Sequence, residues 1–453
     1  MNIGDRSINS KRDRHKSRLT FQPCRSIIYR TLIKKETPAA AGRFRQRRRH
    51  DQVCPACRRS LPGLRDDSIP RGRRAAHPDP HWPAGAAYRP HGAEAQDQVR
   101  NATLAIQEFN DAGGLAGRKA ELLVRDDRLN PAEAATRALE LIDKDHADFI
   151  VGSLSAATQL AVNNVIRQRR VPYISISQSD AINEAADFSR YTFHESLNPH
   201  MTSQAVGHYA FRKGMRIAFL TADYAYGQEM TRGFTRVAKE VGAQVVGEIR
   251  HPLGATDYSP FLPRLMAMHP DVLVFNNFGR DNQISIKQAA EFGMKSNMKF
   301  VTPVLTYTSR VAAGARVYDG VIGGSSYYWG IEATTPAARA LNDRYRKAYG
   351  GAVPSDYGTM AYSAVKSLLL AVKAAGSSDA EKVVDALVAL RYDTYKGIQS
   401  YRACDHQSVQ SVLVLQSKAA PSGSPDLFSV LHVAPASTWA LRSCAELGHK
   451  PAP

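Results

Sequence analysis

Five short stretches concentrate the residues able to do chemistry: GSLSAAT (152–158), SISQSD (175–180), TADYAYGQ (221–228), NNFGRDNQ (276–283) and TPVLTYT (302–308). Each follows a short apolar run, so each falls at the carboxyl end of a predicted strand, where open α/β sheets hold their ligands. Their side chains are mostly small hydroxyls, amides and aromatics, with few titratable groups. Hydroxyls and backbone N–H groups at helix N-termini favour a small polar molecule, and a carboxylate in particular. None of these turns sets a nucleophile beside a base, clusters metal ligands or pairs two acids. The expectation is therefore binding without catalysis, metal or cofactor.

The elements that must carry these turns are legible on either side of them. Val99, Ala102, Ile106 and Phe109 recur at helical spacing and stop at NDAGGLAG, whose glycines suit a helix end. RKAELLVRDD then reads as a strand, and NPAEAATRALELIDK as a helix with Asn130 at its N-cap and Pro131 in its first turn. The alternation continues through ADFIVGSLSAATQLAVNNVIRQRRVPYISIS, MRIAFLTADYAYGQEMTRGFTRVAKEVGAQVVGEIR, PDVLVFNNFGRDNQISIKQAAEFGM and KFVTPVLT. Short apolar strands between amphipathic helices predict an α/β fold of doubly wound parallel sheets with helices on both faces. So many strand and helix units exceed one sheet and predict two lobes.

Of the 453 residues 43% are hydrophobic, enough for sizeable cores, and the formal charge is +18. Its placement matters more than its size. Residues 1–90 hold 22 Lys+Arg against 7 Asp+Glu, whereas the rest holds 38 against 35. The basic head is dense in Arg, Pro, Gly and His without helical or strand period, and is expected to be disordered. Its Arg runs RFRQRRRH and RGRRAAH lack interleaved aromatics or helix-turn-helix spacing, so no nucleic-acid partner is expected. Cys54 and Cys57 have the spacing of a zinc or redox pair but no second pair to complete it. No stretch reaches the roughly 18 apolar residues of a membrane span, and the first residues lack the apolar run of a secretory signal.

The turns and their flanks together resemble the leucine/isoleucine/valine-binding type of periplasmic substrate-binding protein of ABC transporters. ATLAIQEFNDAGGLAGRKAELLVRDDRLNPAEAATRALELI, FIVGSLSAATQLAV, DYAYGQE, TDYSPFLPRLMAMHPDVLVF and YRACDHQSVQ carry that resemblance from about Gly92 almost to the C-terminus. It implies two α/β lobes joined by a three-stranded hinge, closing on a solute in the cleft that is then passed to ABC permease subunits. The expected division is residues 92–200 with 327–390 in one lobe and 201–326 with 391–453 in the other. Ser155 falls where the family holds a ligand carboxylate with a serine hydroxyl, and Ser177 and Ser179 where backbone groups and a second hydroxyl take the α-ammonium and carboxylate. Tyr226 matches an aromatic from the second lobe, and Phe278 a position often filled by tyrosine. The family's glutamate for the ammonium would fall near Val304, and no acid stands there. The expectation is a small carboxylate, with desamino acids bound at least as well as leucine. Tyr327, Tyr328 and Trp329 are expected to pack at the hinge. The family's location implies a periplasmic protein, so Cys404 and Cys444, the only cysteines outside the head, are expected to be bonded. The alternative is a cytosolic ligand-sensing regulator of the same fold.

Just before its first helix the family has a strand and loop of the type IGLLAPLTGP, where this chain has HWPAGAAYRPH. Read one base downstream, degenerate codons for those residues permit Ile-Gly-Leu-Leu-Ala-Pro-Leu-Thr-Gly-Pro. The same shift from His50 permits Met-Ile-Lys-Phe-Ala-Leu-Leu-Ala-Ala, the opening of a secretory signal. Residues 1–91 are therefore expected to be a disordered or out-of-frame head.

Overall fold

The computed structural model describes residues 27–33, 92–421, 423–436 and 441–450. Cys24, Cys54, Cys57 and both Arg runs lie outside them. The first sheet has five strands in the order β2-β1-β3-β4-β5. They are β1 (Ile27–Ile33), β2 (Ala120–Asp126), β3 (Phe149–Gly152), β4 (Tyr173–Ser175) and β5 (Thr192–His194), interleaved with α1 (Gly92–Asp111), α2 (Pro131–Leu139) and α3 (Ala156–Arg169). Asn130 caps α2 by accepting from the Glu133 N–H, with Pro131 in the first turn.

The strand β1 is the one segment of the head among the described residues. It lies between β2 and β3 and is antiparallel to both. The slot demands an occupant, because an unfilled centre would leave the ladder groups of β2 and β3 unpaired. IIYRTLI is rich in β-branched and aromatic residues and can supply one.

The second sheet has seven strands in the order β15-β14-β10-β9-β8-β6-β7. Its elements are α4 (Pro199–Ala210), β6 (Arg216–Ala222), α5 (Ala225–Val241), β7 (Gln244–His251), α6 (Leu262–Met266), β8 (Val272–Asn276), α7 (Gly279–Glu291), β9 (Lys299–Val304), α8 (Tyr307–Ala313), α9 (Ala315–Tyr318) and β10 (Ile322–Ser325). The strands β6 to β10 pair in parallel, and β14 (Val412–Ser417) and β15 (Phe428–Ala434) add an antiparallel edge. The chain returns to the first lobe through α10 (Pro336–Ala348), α11 (Asp356–Ala375) and α12 (Ala380–Ala389). A Cβ on Gly358 would collide with the side chains of Asp97 and Asn101, so glycine lets α11 lie close against α1. A small sheet of β11 (Arg391–Asp393), β12 (Ile398–Tyr401) and β13 (Ser408–Val409) completes the chain's return, tied to β5 by a bridge between His194 and Gln407.

The chain crosses between lobes after β5, after β10 and between β13 and β14, and one buried ammonium gathers all three crossings. Lys396 Nζ donates to the carbonyls of Ser326 (2.6 Å) and Ser411 (3.3 Å) and to Gln410 Oε1 (2.5 Å). Gln410 in turn donates to the Glu195 carbonyl. The Glu195 carboxylate accepts from Ser363, Gln399, Tyr392 and Tyr401. Burial pulls Lys396 down to about 7 while Glu195 holds it up. Such a fully connected network fixes where the hinge strands lie.

Candidate functional site

The expected site residues stand on the facing ends of the two sheets. The turn after β3 is held in an unusual backbone: Ser153 has φ 55°, and its hydroxyl bonds to Tyr173 OH at 2.9 Å. That bend presents Ser155 as the N-cap of α3, where its own N–H is held by Thr158 Oγ1 at 3.2 Å. Ser177 Oγ donates to the Leu154 carbonyl at 3.1 Å and joins the two lobe-one turns. Ser179 Oγ donates to Glu229 Oε1 at 3.3 Å, and the Asp180 N–H to Glu229 Oε2 at 3.2 Å. A lobe-two carboxylate thus occupies two donors at the end of the turn that follows β4.

Across the cleft, Gly227 lets the first turn of α5 settle on the sheet. A Cβ there would collide with the Ala222 carbonyl oxygen and come within 3.1 Å of that of Asn276. Tyr226 is thereby placed 5.9 Å from Tyr224 and 6.0 Å from Phe278, ring to ring. Its hydroxyl is buried without a hydrogen-bond partner. Phe278 is the N-cap residue of α7 and lies 5.5 Å from Tyr357 at the start of α11, so the aromatic cluster spans both lobes. Tyr327, Tyr328 and Trp329 are packed elsewhere: Tyr327 against Tyr395 and Asn342, Tyr328 against Phe428 and Asp426, and Trp329 on the Pro425 carbonyl.

Val304 is buried at the end of β9 and brings no charge to the turn that follows. Two acids meet that turn from the other lobe. Asp356 Oδ1 accepts from the Tyr307 N–H at 3.3 Å, and Glu94 Oε1 from Thr308 Oγ1 at 2.5 Å. Both are nearly inaccessible, at 2% and 3% exposure. Sequence reasoning missed Glu94, Glu229, Asp356 and Tyr357. Glu94 and Asp356 lie in the first turns of α1 and α11, where acids serve ordinary dipole compensation so often that nothing in their spacing marks them as different.

Burial pushes Asp356 up to about 7, with Glu94 and Asp97 adding to the effect. Burial and then Asp180 likewise hold Glu229 above the ordinary carboxylate range. A raised carboxyl keeps its proton in the folded chain longer than in the unfolded one. Its contribution to stability is therefore complete below about pH 4 and lost as pH rises through about 7. His194, His200 and His406, pulled down to about 4 by burial, act in the opposite sense. The whole-protein profile is a sum of opposed slopes, so a difference isolates the carboxyl. Thermal unfolding of Asp356→Asn and wild type is expected to diverge in the variant's favour from about pH 4 to about pH 7 and then run parallel. Parallel curves throughout would show that Asp356 titrates normally.

The periplasmic binding protein family profile matches residues 90–423. Leu/Ile/Val-binding protein homolog 6 of Brucella melitensis is 24% identical over 311 residues, covering 67% of this chain and 79% of that one. Among solved structures, a periplasmic binding protein from Burkholderia mallei is 28% identical with a TM-score of 0.69, covering 77% of this chain and 92% of the other. An amino acid ABC transporter substrate-binding protein from Pseudomonas fluorescens is 26% identical with a TM-score of 0.73, covering 80% and 95%. With a profile that spans most of the chain and solved relatives that reproduce both lobes, this chain belongs to the periplasmic binding protein family.

Proposed function

We propose that this protein is the solute-binding component of an ABC importer, closing its lobes on a small carboxylate, amino acids included, and delivering it to a membrane permease. The observation that carries the reading is the Glu229 carboxylate held by Ser179 and the Asp180 N–H, because it marks the lobe-one turn as a place that receives a carboxylate. Ser155, at the N-cap of the neighbouring helix, stands in position to add a third donor to a bound solute. Ser177 ties the turns together, and Tyr226 and Phe278 cover the solute from lobe two. Binding would draw on an open and closed equilibrium of the lobes, with the closed form recognised by the permease.

The bonded pair Cys404 and Cys444 supports a periplasmic location, since disulfides persist in oxidising compartments. Among the described residues no helix is long and apolar enough to cross a membrane. A thermal-shift screen of amino acids against aliphatic and aromatic carboxylates tests the reading. A true ligand at a hundred times its Kd stabilises by about 2.7 kcal/mol, whereas silence across the panel would refute the carboxylate assignment. With the ligand so found, Ser155→Ala is expected to weaken binding by about 1–3 kcal/mol in calorimetry, the usual loss for a hydrogen bond to a charged group. An unchanged Kd would leave Ser155 as a helix cap only.

A further inference from the structure

We infer that Glu229 is a built-in competitor of the solute: its carboxylate occupies the lobe-one donors that a solute carboxylate would take, so that binding requires its release. This rests on reading the turn after β4 as the place that receives a carboxylate. It adds a resident rival for that place, which sets how tightly any carboxylate solute is held.

Distances on both sides of the cleft carry the assignment. Glu229 stands on α5 of lobe two, one turn after Tyr226, and is only 5% exposed. Its two oxygens reach lobe one separately, Oε1 accepting from the Ser179 hydroxyl at 3.3 Å and Oε2 from the Asp180 N–H at 3.2 Å. Two donors met by the two oxygens of one carboxylate are the fork that a free carboxylic acid would also find. Ser179 has a single hydroxyl proton, so while Glu229 holds it no solute oxygen can. The turn does not depend on Glu229 for its shape. The Ala181 N–H donates to Ser179 Oγ at 3.2 Å, and Asp180 Oδ1 accepts from the His200 N–H at 3.2 Å. The donors are thus held in place by contacts that remain when the glutamate leaves.

The same contacts show why the glutamate can be displaced. A carboxylate buried this deeply beside Asp180 is held at a cost, since desolvation and a like charge both oppose ionisation. Arg232, exposed and three residues further along α5, is spaced to pair with the released side chain. A solute carboxylate has more to gain at the turn than Glu229 has. It can add the Ser155 hydroxyl at the N-terminus of α3, where a negative charge is favoured, whereas the bonds of Glu229 go to Ser179 and Asp180. The opposite role, a latch that strengthens closure with the solute in place, would require two carboxylates on one hydroxyl proton beside a third acid. It also predicts the opposite effect of removing Glu229.

Calorimetry at pH 8 decides it, with leucine, isovalerate and benzoate as probes on wild type, Glu229→Gln and Glu229→Ala. Glutamine keeps the shape but offers one acceptor oxygen in place of two, and alanine offers none. If Glu229 holds the turn in about two-thirds of the molecules, only the remainder is competent, and its removal is expected to tighten binding about threefold. Both variants are therefore expected to bind each probe that the wild type binds at least about threefold more tightly, and by a common factor. A merely structural role cannot give that sign, because a damaged cleft binds less well. Hydrogen exchange without added solute reads the contact itself: the Asp180 N–H is expected to exchange faster in Glu229→Ala than in wild type. Unchanged or weaker binding in both variants, or unchanged exchange at Asp180, would overturn the competitor while leaving the carboxylate reading intact. Probes that bind none of these proteins would overturn both.

Discussion

A chain in which residues 50–91 are translated one base downstream is expected to unfold cooperatively at a higher temperature than the chain as written, and to bind ligand where the latter binds weakly. The centre of the first sheet supplies the reason. Both β2 and β3 pair antiparallel with β1, so β2, β3, β4 and β5 all run in one direction and β1 alone opposes them. A strand that leads straight into α1 would run with its neighbours, joined by the usual loop of about two to six residues. Ile33 and Gly92 are separated by far more chain than that. Nor can HWPAGAAYRPH serve as written, because Pro83 and Pro90 lack ladder donors and the apolar alternation is missing. A misdirected or absent central strand weakens two ladders at once, a loss of several kcal/mol against a total of only about 5–15. Deleting residues 27–33 separates the possibilities. In the shifted chain that deletion is expected to be neutral. If the genomic DNA confirms the written frame, and the written chain unfolds cooperatively and loses that transition when residues 27–33 are deleted, then β1 is the native strand and the shift is wrong.

How far the sequence exposed this molecule depended on whether a signal was local. The alternation of apolar runs and amphipathic helices is a local periodicity, and β2 to β4 and β6 to β9, with α1, α2, α3, α5 and α7, follow it, whereas the three-residue β5 and the helix α4 carried too little pattern to be read. Asn130 and Pro131 announced the start of α2 because capping is chemistry between residues three or four apart. The strand-end turns were legible for the same reason, and Gly227 beside Tyr226 shows why one of them needs its glycine. What was not legible depends on contacts between distant segments. The pairing of Asp356 with the turn at 307 crosses 49 residues, and that of Glu94 with Thr308 crosses 214. Glu229 looked like an ordinary residue of an exposed helix turn until Ser179, 50 residues earlier, was brought against it. Val304 could be recognised as a missing acid, but only tertiary structure could show which other acids face its turn. The segment that forms β1 carried no signal either, being seven residues of high β propensity inside a polar head with no flanking pattern, set antiparallel among strands that run one way.

Replacing both Cys404 and Cys444 by serine is expected to lower stability by about 4 kcal/mol, the second large effect. The two residues are 40 apart in sequence with Cα atoms 6.1 Å apart, and closing a loop of that length in the unfolded chain accounts for about 4 kcal/mol of lost entropy. Local contacts would not make up the loss, nor would they vanish with the bond. The C-terminal segment keeps Arg402 on the Arg442 carbonyl (2.8 Å), Arg442 on Glu184 (2.8 Å), and the Ala185 N–H on the Leu447 carbonyl (2.9 Å). On the other side of Cys404, His406 stacks on Phe193 at 4.1 Å and its carbonyl accepts from the His194 N–H, which moors the turn to β5. The folded variant should therefore keep its geometry at the hinge crossing that begins at Glu195, and its ligand affinity below the melting range should change little. Denaturant unfolding of wild type with and without reductant, beside the double serine variant, measures the difference. Equal midpoints would show that the bond contributes nothing. A large loss of ligand affinity in a variant that still unfolds cooperatively would place the bond's effect in the folded state, at the end of β5, rather than in the unfolded chain.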